Sequence, residues 1–406
     1  MRIAVLGAGG AGACTALELA DRGFRVDLYE ERPAALTQAS RNNEGKVHLG
    51  LVYAKDPTLR TARTMIRGAL RFADCLGRWI DVGVLEAATS TPYYYAVHAK
   101  TMASPEDLEG HYRRCQALFE DEVSSSGLAY LGRDRSLVVE KLSRRAHEDL
   151  VASDRFLCSF RTSERAVDPR LVADQLGAAI AASPRIDLIA RTRVLSAAWN
   201  DSGQIEIAFA CDGVEFTERY DQVANTLWSG RLEIDAKLGV APGRSWLHRF
   251  KMGGWIHADV PREPLPSLTM ALGPFGDVVN YGDRGVYLSW YPTGMVGSST
   301  DLRPPDWEDV LSDAQRHAIV RESWAQLAVH CPGLRTLDLT EHPWSAIGGL
   351  IFAWGASDID RPDSHLHSRY EIGVHSVRNY HSVNTGKYTM VPVLGVETAD
   401  RIAGRS

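Results

Sequence analysis

Residues 2–32 read RIAVLGAGGAGACTALELADRGFRVDLYEER, and the fold turns on how this stretch is read. Ile3 to Leu6 is a short apolar run, as expected of a buried strand. Gly7, Gly9 and Gly12 follow in G-x-G-x-x-G spacing. Ala13 to Arg22 carries helix formers, with Ala16, Leu17, Leu19 and Ala20 placed to pack back on a sheet. Gly23 closes this helix, Phe24 to Tyr29 is a second strand, and Glu30 stands at its end. The parts together predict a βαβ dinucleotide unit. The first glycine makes the turn, the second admits a pyrophosphate and the third lets helix and strand pack closely, while the helix N-terminus offers N–H groups. Glu30 is placed to accept from a ribose hydroxyl, and an acid there repels the 2′-phosphate of NADP. A Gly-rich turn alone is weak; the agreement of strand, helix, second strand and acid favours the nucleotide reading over a structural turn.

The rest of the chain is that of an ordinary globular protein. Its 406 residues are 45% hydrophobic and 24% charged, enough for two domains with their own cores. The net charge is −6 with Lys and Arg scattered, which argues against nucleic acid or an anionic membrane as main partner. No apolar run is long enough to span a bilayer, so no membrane insertion is expected. With a strand starting beside Arg2, no signal peptide is expected either, and the location expected is cytoplasmic. The six cysteines are spread singly, as reduced thiols rather than a disulfide or zinc framework. His365, His367, His375 and His381 are dense but irregular, with no cysteine and no helical H-x-x-x-H, so no metal is expected.

The next informative stretch is Ser40-Arg41-Asn42-Asn43-Glu44-Gly45-Lys46-Val47-His48-Leu49-Gly50-Leu51-Val52-Tyr53, a polar turn followed by a short strand expected over Lys46 to Tyr53. Its Ser-Arg-Asn…Gly…His…Gly…Tyr pattern resembles the second FAD-contacting motif of the D-amino-acid-oxidase-like flavoproteins. That superfamily includes glycine and sarcosine oxidases, glycerol-3-phosphate dehydrogenase and L-2-hydroxyglutarate dehydrogenase, and the pattern is most similar to the last. The resemblance implies FAD as cofactor, contacted by Ser40, Arg41, Asn42 and Asn43, with His48 near the flavin ring. A third match is Asn379 to Pro392, which resembles the family's G-H-x-x-x-G…P turn before a last helix over Leu394 to Ala403. It implies that Gly386 and the N–H groups of Lys387, Tyr388 and Thr389 cradle flavin O2 and N1, where a Lys stabilises the reduced anion. Between the two, Asp168-Pro169 opens a helix to Ala182, Ile186 to Ala190 is a strand, and Val194 in Thr192-Arg193-Val194-Leu195 matches the adenine-gripping position. Ile205 to Ala210, Val214 to Tyr220 and Gln222 to Asn225 alternate as a β-meander, whose end departs from the family's Ala-Ala-Gly as Thr226-Leu227-Trp228-Ser229-Gly230.

Residues 81–149 and 233–339 lack βαβ logic. Thr91 to His98 is an aromatic strand, its tyrosines read as core packing rather than a ligand platform. Ser104 caps a helix from Pro105 to Phe119, and Ser312 to Cys331 is a helix ended by Pro332. Leu247 to Met252, Ser267 to Ala271 and Gly285 to Tyr291 read as sheet. The fold expected is α/β: a Rossmann-like FAD-binding domain (1–80, 150–232, 340–406) interleaved with an α+β substrate domain on a mixed or antiparallel sheet (81–149, 233–339).

The resemblance implies an FAD-dependent oxidoreductase taking a hydride from a C–H next to oxygen or nitrogen of a small polar substrate, with oxygen or another compound as electron acceptor. A mutase-type flavoenzyme, an FAD-bearing binding protein and an NAD-dependent dehydrogenase are the alternatives; the C-terminal motif speaks against the last. His48 is the first catalytic candidate, as base or polariser, against a role as plain flavin contact or covalent flavin link. Lys387, with Tyr53 opposite, is expected on the substrate side. Arg249 and Lys251 share one strand face, as an anion site or as a solvated surface. The family's carboxylate-clamping arginine has no counterpart in Ile347 to Trp354, which moves the expected substrate away from a simple α-amino acid.

Overall fold

The computed structural model describes residues 1–152, 154–240, 242–261 and 265–404. Ile3–Leu6 lies inside a six-stranded sheet ordered Gly373–Val377, Tyr380–Asn384, Gln222–Asn225, Ile3–Leu6, Val26–Tyr29, Ile186–Ile189. Neighbours are parallel except for the first pair. All four residues of Ile3–Leu6 are buried, as a strand covered on both faces must be. On one face the helix Gly10–Asp21 packs against Val391–Ile402 and Pro169–Ala182. Gly395 meets Cys14 so closely that a methyl there would overlap the first helix. On the other face stands a three-stranded antiparallel sheet of Thr192–Trp199, Ile205–Cys211 and Val214–Tyr220. Tyr29 stacks on its Phe209 with ring centroids 4.0 Å apart. Gln222–Asn225 leaves this meander and pairs with Ile3–Leu6, where Val223 and Ala224 become buried.

The second body is a nine-stranded sheet that is antiparallel apart from one parallel pair, Ser267–Ala271 with Tyr93–His98. Its longest ladder joins Trp246–Ile256 to Trp344–Trp354 from end to end, and the helix Asp313–His330 packs against this sheet. Trp344–Trp354 and Phe156–Thr162 both belong here, although their numbers fall within ranges expected to serve the first domain alone. An alternating strand carries no local mark of the sheet it joins; its register partner decides.

Several element bounds differ from expectation. The strand after the polar turn is only Lys46–Val47, because Gly50 turns the chain left-handed (φ 91°) into a single 3-10 turn at Leu51–Tyr53. Pro105–Ser126 runs well past Phe119 and stops at Gly127, whose φ of 71° caps it. The last helix starts earlier, at Val391, with Pro392 in its first turn. Among the described residues no helix is long and apolar enough to cross a membrane.

Candidate functional site

A cleft of about 310 Å³ opens beyond the C-terminal ends of Ile3–Leu6 and Val26–Tyr29, where open parallel sheets bind their ligands. Gly7, Gly9, Glu30, Thr192 and Val194 line its outer end; Ser40, Asn43, Glu44, Lys46, His48, Gly386, Lys387 and Tyr388 also line it. The glycines behave as their spacing demands. Gly7 is left-handed (φ 94°), and a methyl on Gly12 would overlap the Gly7 carbonyl oxygen. The helix N-terminus at Gly10 has no acid in its first turn, and Ser40 Oγ accepts from the Gly10 N–H at 2.7 Å. The remaining first-turn N–H groups are left for an anion. Glu30 accepts from the N–H groups of Ala8 at 3.0 Å and Arg32 at 2.9 Å, while burial raises its carboxyl above the usual range. This donor set suits a dinucleotide carrying a pyrophosphate and a ribose.

The outer end is roofed by the segment 303–308. Arg303 pairs with Glu31 at 2.8 Å, Asp306 pairs with Arg32 at 2.6 Å, and Trp307 stacks on Phe250. Phe250, Trp307 and Trp228 all line the cleft.

At the inner end His48 is buried. Its backbone N–H donates to Thr389 Oγ1 at 2.9 Å, and its Nδ1 has no partner among the described residues. Burial, then the charges of Lys387, Lys46 and Arg369, push its pKa well below the ordinary histidine value, so the ring is neutral. Tyr53 packs behind it with ring centroids 5.5 Å apart, its own hydroxyl buried and without a hydrogen-bond partner among the described residues. Lys387 is pushed down to about 7, first by burial and then by Arg369, Arg249 and Lys251, although Glu44 opposes the shift.

Arg249 and Lys251 are not a solvated strand face. Arg249 is 2% exposed, pairs with Asp358 at 2.6 Å and donates to the Tyr291 hydroxyl. Lys251 and Lys46 share Asp277, at 3.9 and 3.0 Å. Burial alone would raise the Asp277 pKa, but these two cations hold it down at about 2. Arg369 joins the group from a loop. It is 5% exposed and donates to the Phe352 carbonyl at 3.0 Å, and among the described residues no carboxylate lies within ion-pair distance. Burial and Arg249 lower its pKa to about 10.

Of the residues singled out from the sequence, Gly7, Gly9, Glu30, Ser40, Asn43, Val194, His48, Gly386, Lys387 and Tyr388 line one cleft. Gly12 acts through packing, and Thr389 and Tyr53 stand behind the wall rather than in it. Arg41 and Asn42 do not line the cleft. The backbone turns at Gln38, whose carbonyl accepts from both N–H groups, and this aims Arg41 outward to an ion pair with Asp174. His381 is held by Ser376 at 2.8 Å and Gln222 at 3.0 Å. Tyr93 and Tyr95 are core, with Tyr95 donating to the buried Glu164. The sequence reading missed Arg369, which no periodicity or motif marks. It also passed over Glu44 and Lys46, although both stand inside the quoted motif.

A family model described as FAD dependent oxidoreductase (DAO) matches residues 2–401. Among solved structures, the chain is similar in fold to glycine oxidase from Geobacillus kaustophilus (TM-score 0.67, 15% identity, covering 100% of this chain and 95% of that one). L-proline dehydrogenase from P. horikoshii gives a TM-score of 0.66 at 14% identity, over 100% and 94% of the two chains. L-alpha-glycerophosphate oxidase from Mycoplasma pneumoniae, a structure with FAD bound, gives 0.65 at 12% identity, over 99% and 94%. In sequence, 118 residues are 34% identical to the tRNA 5-methylaminomethyl-2-thiouridine biosynthesis bifunctional protein MnmC of Pseudomonas fluorescens (strain Pf0-1). That match covers 26% of this chain and 17% of the bifunctional protein.

Proposed function

The chain belongs to the FAD-dependent oxidoreductase (DAO) family, with FAD as cofactor, and on that premise we propose that it oxidises a C–H bond next to nitrogen or oxygen in a small carboxylated substrate. The observation that carries the carboxylate is Arg369. A buried guanidinium without a carboxylate is costly, and its planar fork matches a substrate carboxylate in bidentate fashion. Its charge lowers the pKa values of both His48 and Lys387, which line the inner end of the cleft, so it acts on that end of the site. The segment 347–354 lacks an arginine, but Arg369 supplies that function from another loop. With a guanidinium supplied from there, a simple α-amino acid is compatible with the site.

FAD, when bound, supplies the two-electron acceptor for the hydride. The chain's own residues do the rest. The turn at Gly9 and Gly10 and the Glu30 carboxylate hold the dinucleotide, and Arg369 with Arg249 orients the substrate's anionic end. Neutral His48 can accept a proton or a hydrogen bond from the substrate N–H or O–H. Lys387, close to its midpoint at neutral pH, offsets negative charge that builds at the inner end of the cleft.

The test is an anaerobic absorbance scan of the purified holoprotein with panels of amino acids, hydroxy acids and neutral alcohols. Bleaching by a carboxylated class, with Arg369→Ala raising KM about 10-fold or more, supports the reading. Bleaching by neutral alcohols alone removes the carboxylate, and a yellow protein that no panel bleaches favours a non-redox or binding role.

A further inference from the structure

The segment 301–312 springs from the second body and returns to it. At its start Trp246 Nε1 donates to the Asp301 carbonyl at 3.1 Å, and Ser299 Oγ accepts from the Asp301 N–H at 2.9 Å. At its end the Arg316 guanidinium donates to the Glu308 and Leu311 carbonyls, and Ser312 caps the helix Asp313–His330. Between the two, Trp307 stacks on Phe250 with ring centroids 5.9 Å apart and covers Gly297, where a methyl would overlap its indole. Pro304 and Pro305 stiffen the chain as it passes over the cleft, which Arg303 to Glu308 line without a break.

Its hold on the βαβ unit is of another kind. Arg303 pairs with Glu31 at 2.8 Å and Asp306 with Arg32 at 2.6 Å, so two adjacent residues of opposite sign meet two residues of opposite sign in the strap. Arg32 also reaches Asp309 at 3.9 Å, and Gln38 hydrogen-bonds Glu308. Each of these ties joins side chain to side chain. The four members of the two short pairs keep 28% to 46% of their side-chain surface exposed. Pairs so exposed are individually weak and are screened by salt. Glu31 and Arg32 directly follow Glu30, so the strap covers the end of the cleft that Glu30 provides for a ribose.

We propose that residues 302–310 are the gate of the cofactor cleft, a strap hinged on the second body and latched to the βαβ unit by the crossed pairs Arg303–Glu31 and Arg32–Asp306. The latch must part before FAD passes in or out. This concerns retention of the cofactor and is independent of which substrate is oxidised. The second body holds the strap by backbone hydrogen bonds and a ring stack, the βαβ unit by charged side chains at the surface. Opening therefore breaks the weaker of two attachments, and the strap stays with the sheet it springs from. The alternation of sign also sets the register of closure. A slipped strap would bring Arg303 to Arg32 or Asp306 to Glu31, and like charges would meet.

The experiment uses holoprotein of wild type, Asp306→Arg and the exchanged pair Arg32→Asp with Asp306→Arg, each checked for folding by circular dichroism and reloaded with FAD where needed. Release of FAD on dilution is followed by the rise of flavin fluorescence. Hydrogen exchange of the amides of residues 306–311 is read by mass spectrometry in the same samples. Asp306→Arg sets like charges against each other, and at low salt it should release FAD at least about 5-fold faster and speed exchange in the strap. The exchanged pair should bring both back to within about 2-fold of wild type. Salt of about 0.5 M should narrow the gap between wild type and Asp306→Arg, because it screens attraction and repulsion alike. Should Asp306→Arg fail to fold, Asp306→Asn tests the same tie with a change of about 2-fold. Unchanged release overturns the proposal. Faster release that the exchange does not reverse, or that comes without faster exchange in the strap, also overturns it, because the side chain then acts on FAD directly.

Discussion

The His48 backbone N–H donates to Thr389 Oγ1 at 2.9 Å, and Thr389 Oγ1 in turn donates to the Lys46 carbonyl at 3.3 Å. One hydroxyl thus ties the polar motif near the start of the chain to the turn near its end. Thr389→Val should leave a buried N–H without a partner, destabilising the protein by about 1–3 kcal/mol. Urea unfolding checks the stability, and flavin content checks whether the two motifs still meet. A variant with unchanged midpoint and flavin content would show that the bond is dispensable.

Gly9→Val should empty the cleft without unfolding the chain. The added side chain points at Ser40 Oγ, 3.3 Å from the Cβ position, at the place where phosphate must approach. The expected protein is colourless with an unchanged circular dichroism spectrum. Gly12→Ala should do more harm, because its methyl drives into the Gly7 carbonyl and parts helix from strand. Its Tm should fall as well as its flavin content, and normal flavin content in either variant would contradict the nucleotide reading.

Lys387→Met should change how stability depends on pH. The folded pKa of Lys387 is lowered from 10.5 to about 7. Below pH 7 both folded and unfolded chains hold the proton, and folding bears the whole cost of burying the charge. Between about 7 and 10.5 only the unfolded chain holds it, so stability rises with pH in that window. The methionine variant has no such rise. Its gain in Tm over wild type should be largest below pH 7 and shrink toward pH 9, a trend that scanning fluorimetry reads directly.

Asp277→Asn should leave Lys46 and Lys251 as buried cations without a carboxylate, at a cost of about 3–5 kcal/mol. The sign with pH is opposite to that of Lys387. The folded pKa of Asp277 lies at about 2, below the ordinary 3.8, so its contribution is complete above that ordinary value and is lost as pH falls through 2. Wild type and variant should therefore converge in stability in strong acid and diverge above pH 4.

How much of this was legible in the chain follows from how local each feature is. The βαβ unit reads clearly because its glycine spacing, helical period and terminal acid all lie within about thirty residues and agree with one another. The two flavin-side motifs read as resemblances, and six of the residues that they marked, Ser40 and Lys387 among them, face one cleft with the βαβ glycines and Glu30. Arg41 misled because a polar side chain in a motif may serve a turn's outer surface as well as its inner one. Arg249 and Lys251 look like solvent residues by type, and only the strand Trp344–Trp354 beside them and the loop carrying Asp358 bury them. Arg369 was invisible for the same reason: its meaning comes from what it meets, and it meets nothing near it in sequence.

The cleft is assembled from residues 7–11, 29–48, 192–194, 226–230, 250, 303–308, 350–351 and 383–391. Segments hundreds of residues apart must meet before this cleft exists, so the cradle is a property of the folded chain and of no single stretch of it. The roof at 303–308 is latched to Glu31 and Arg32 by ion pairs, so a ligand that binds only the assembled cleft stabilises the βαβ unit and the segment that covers it together.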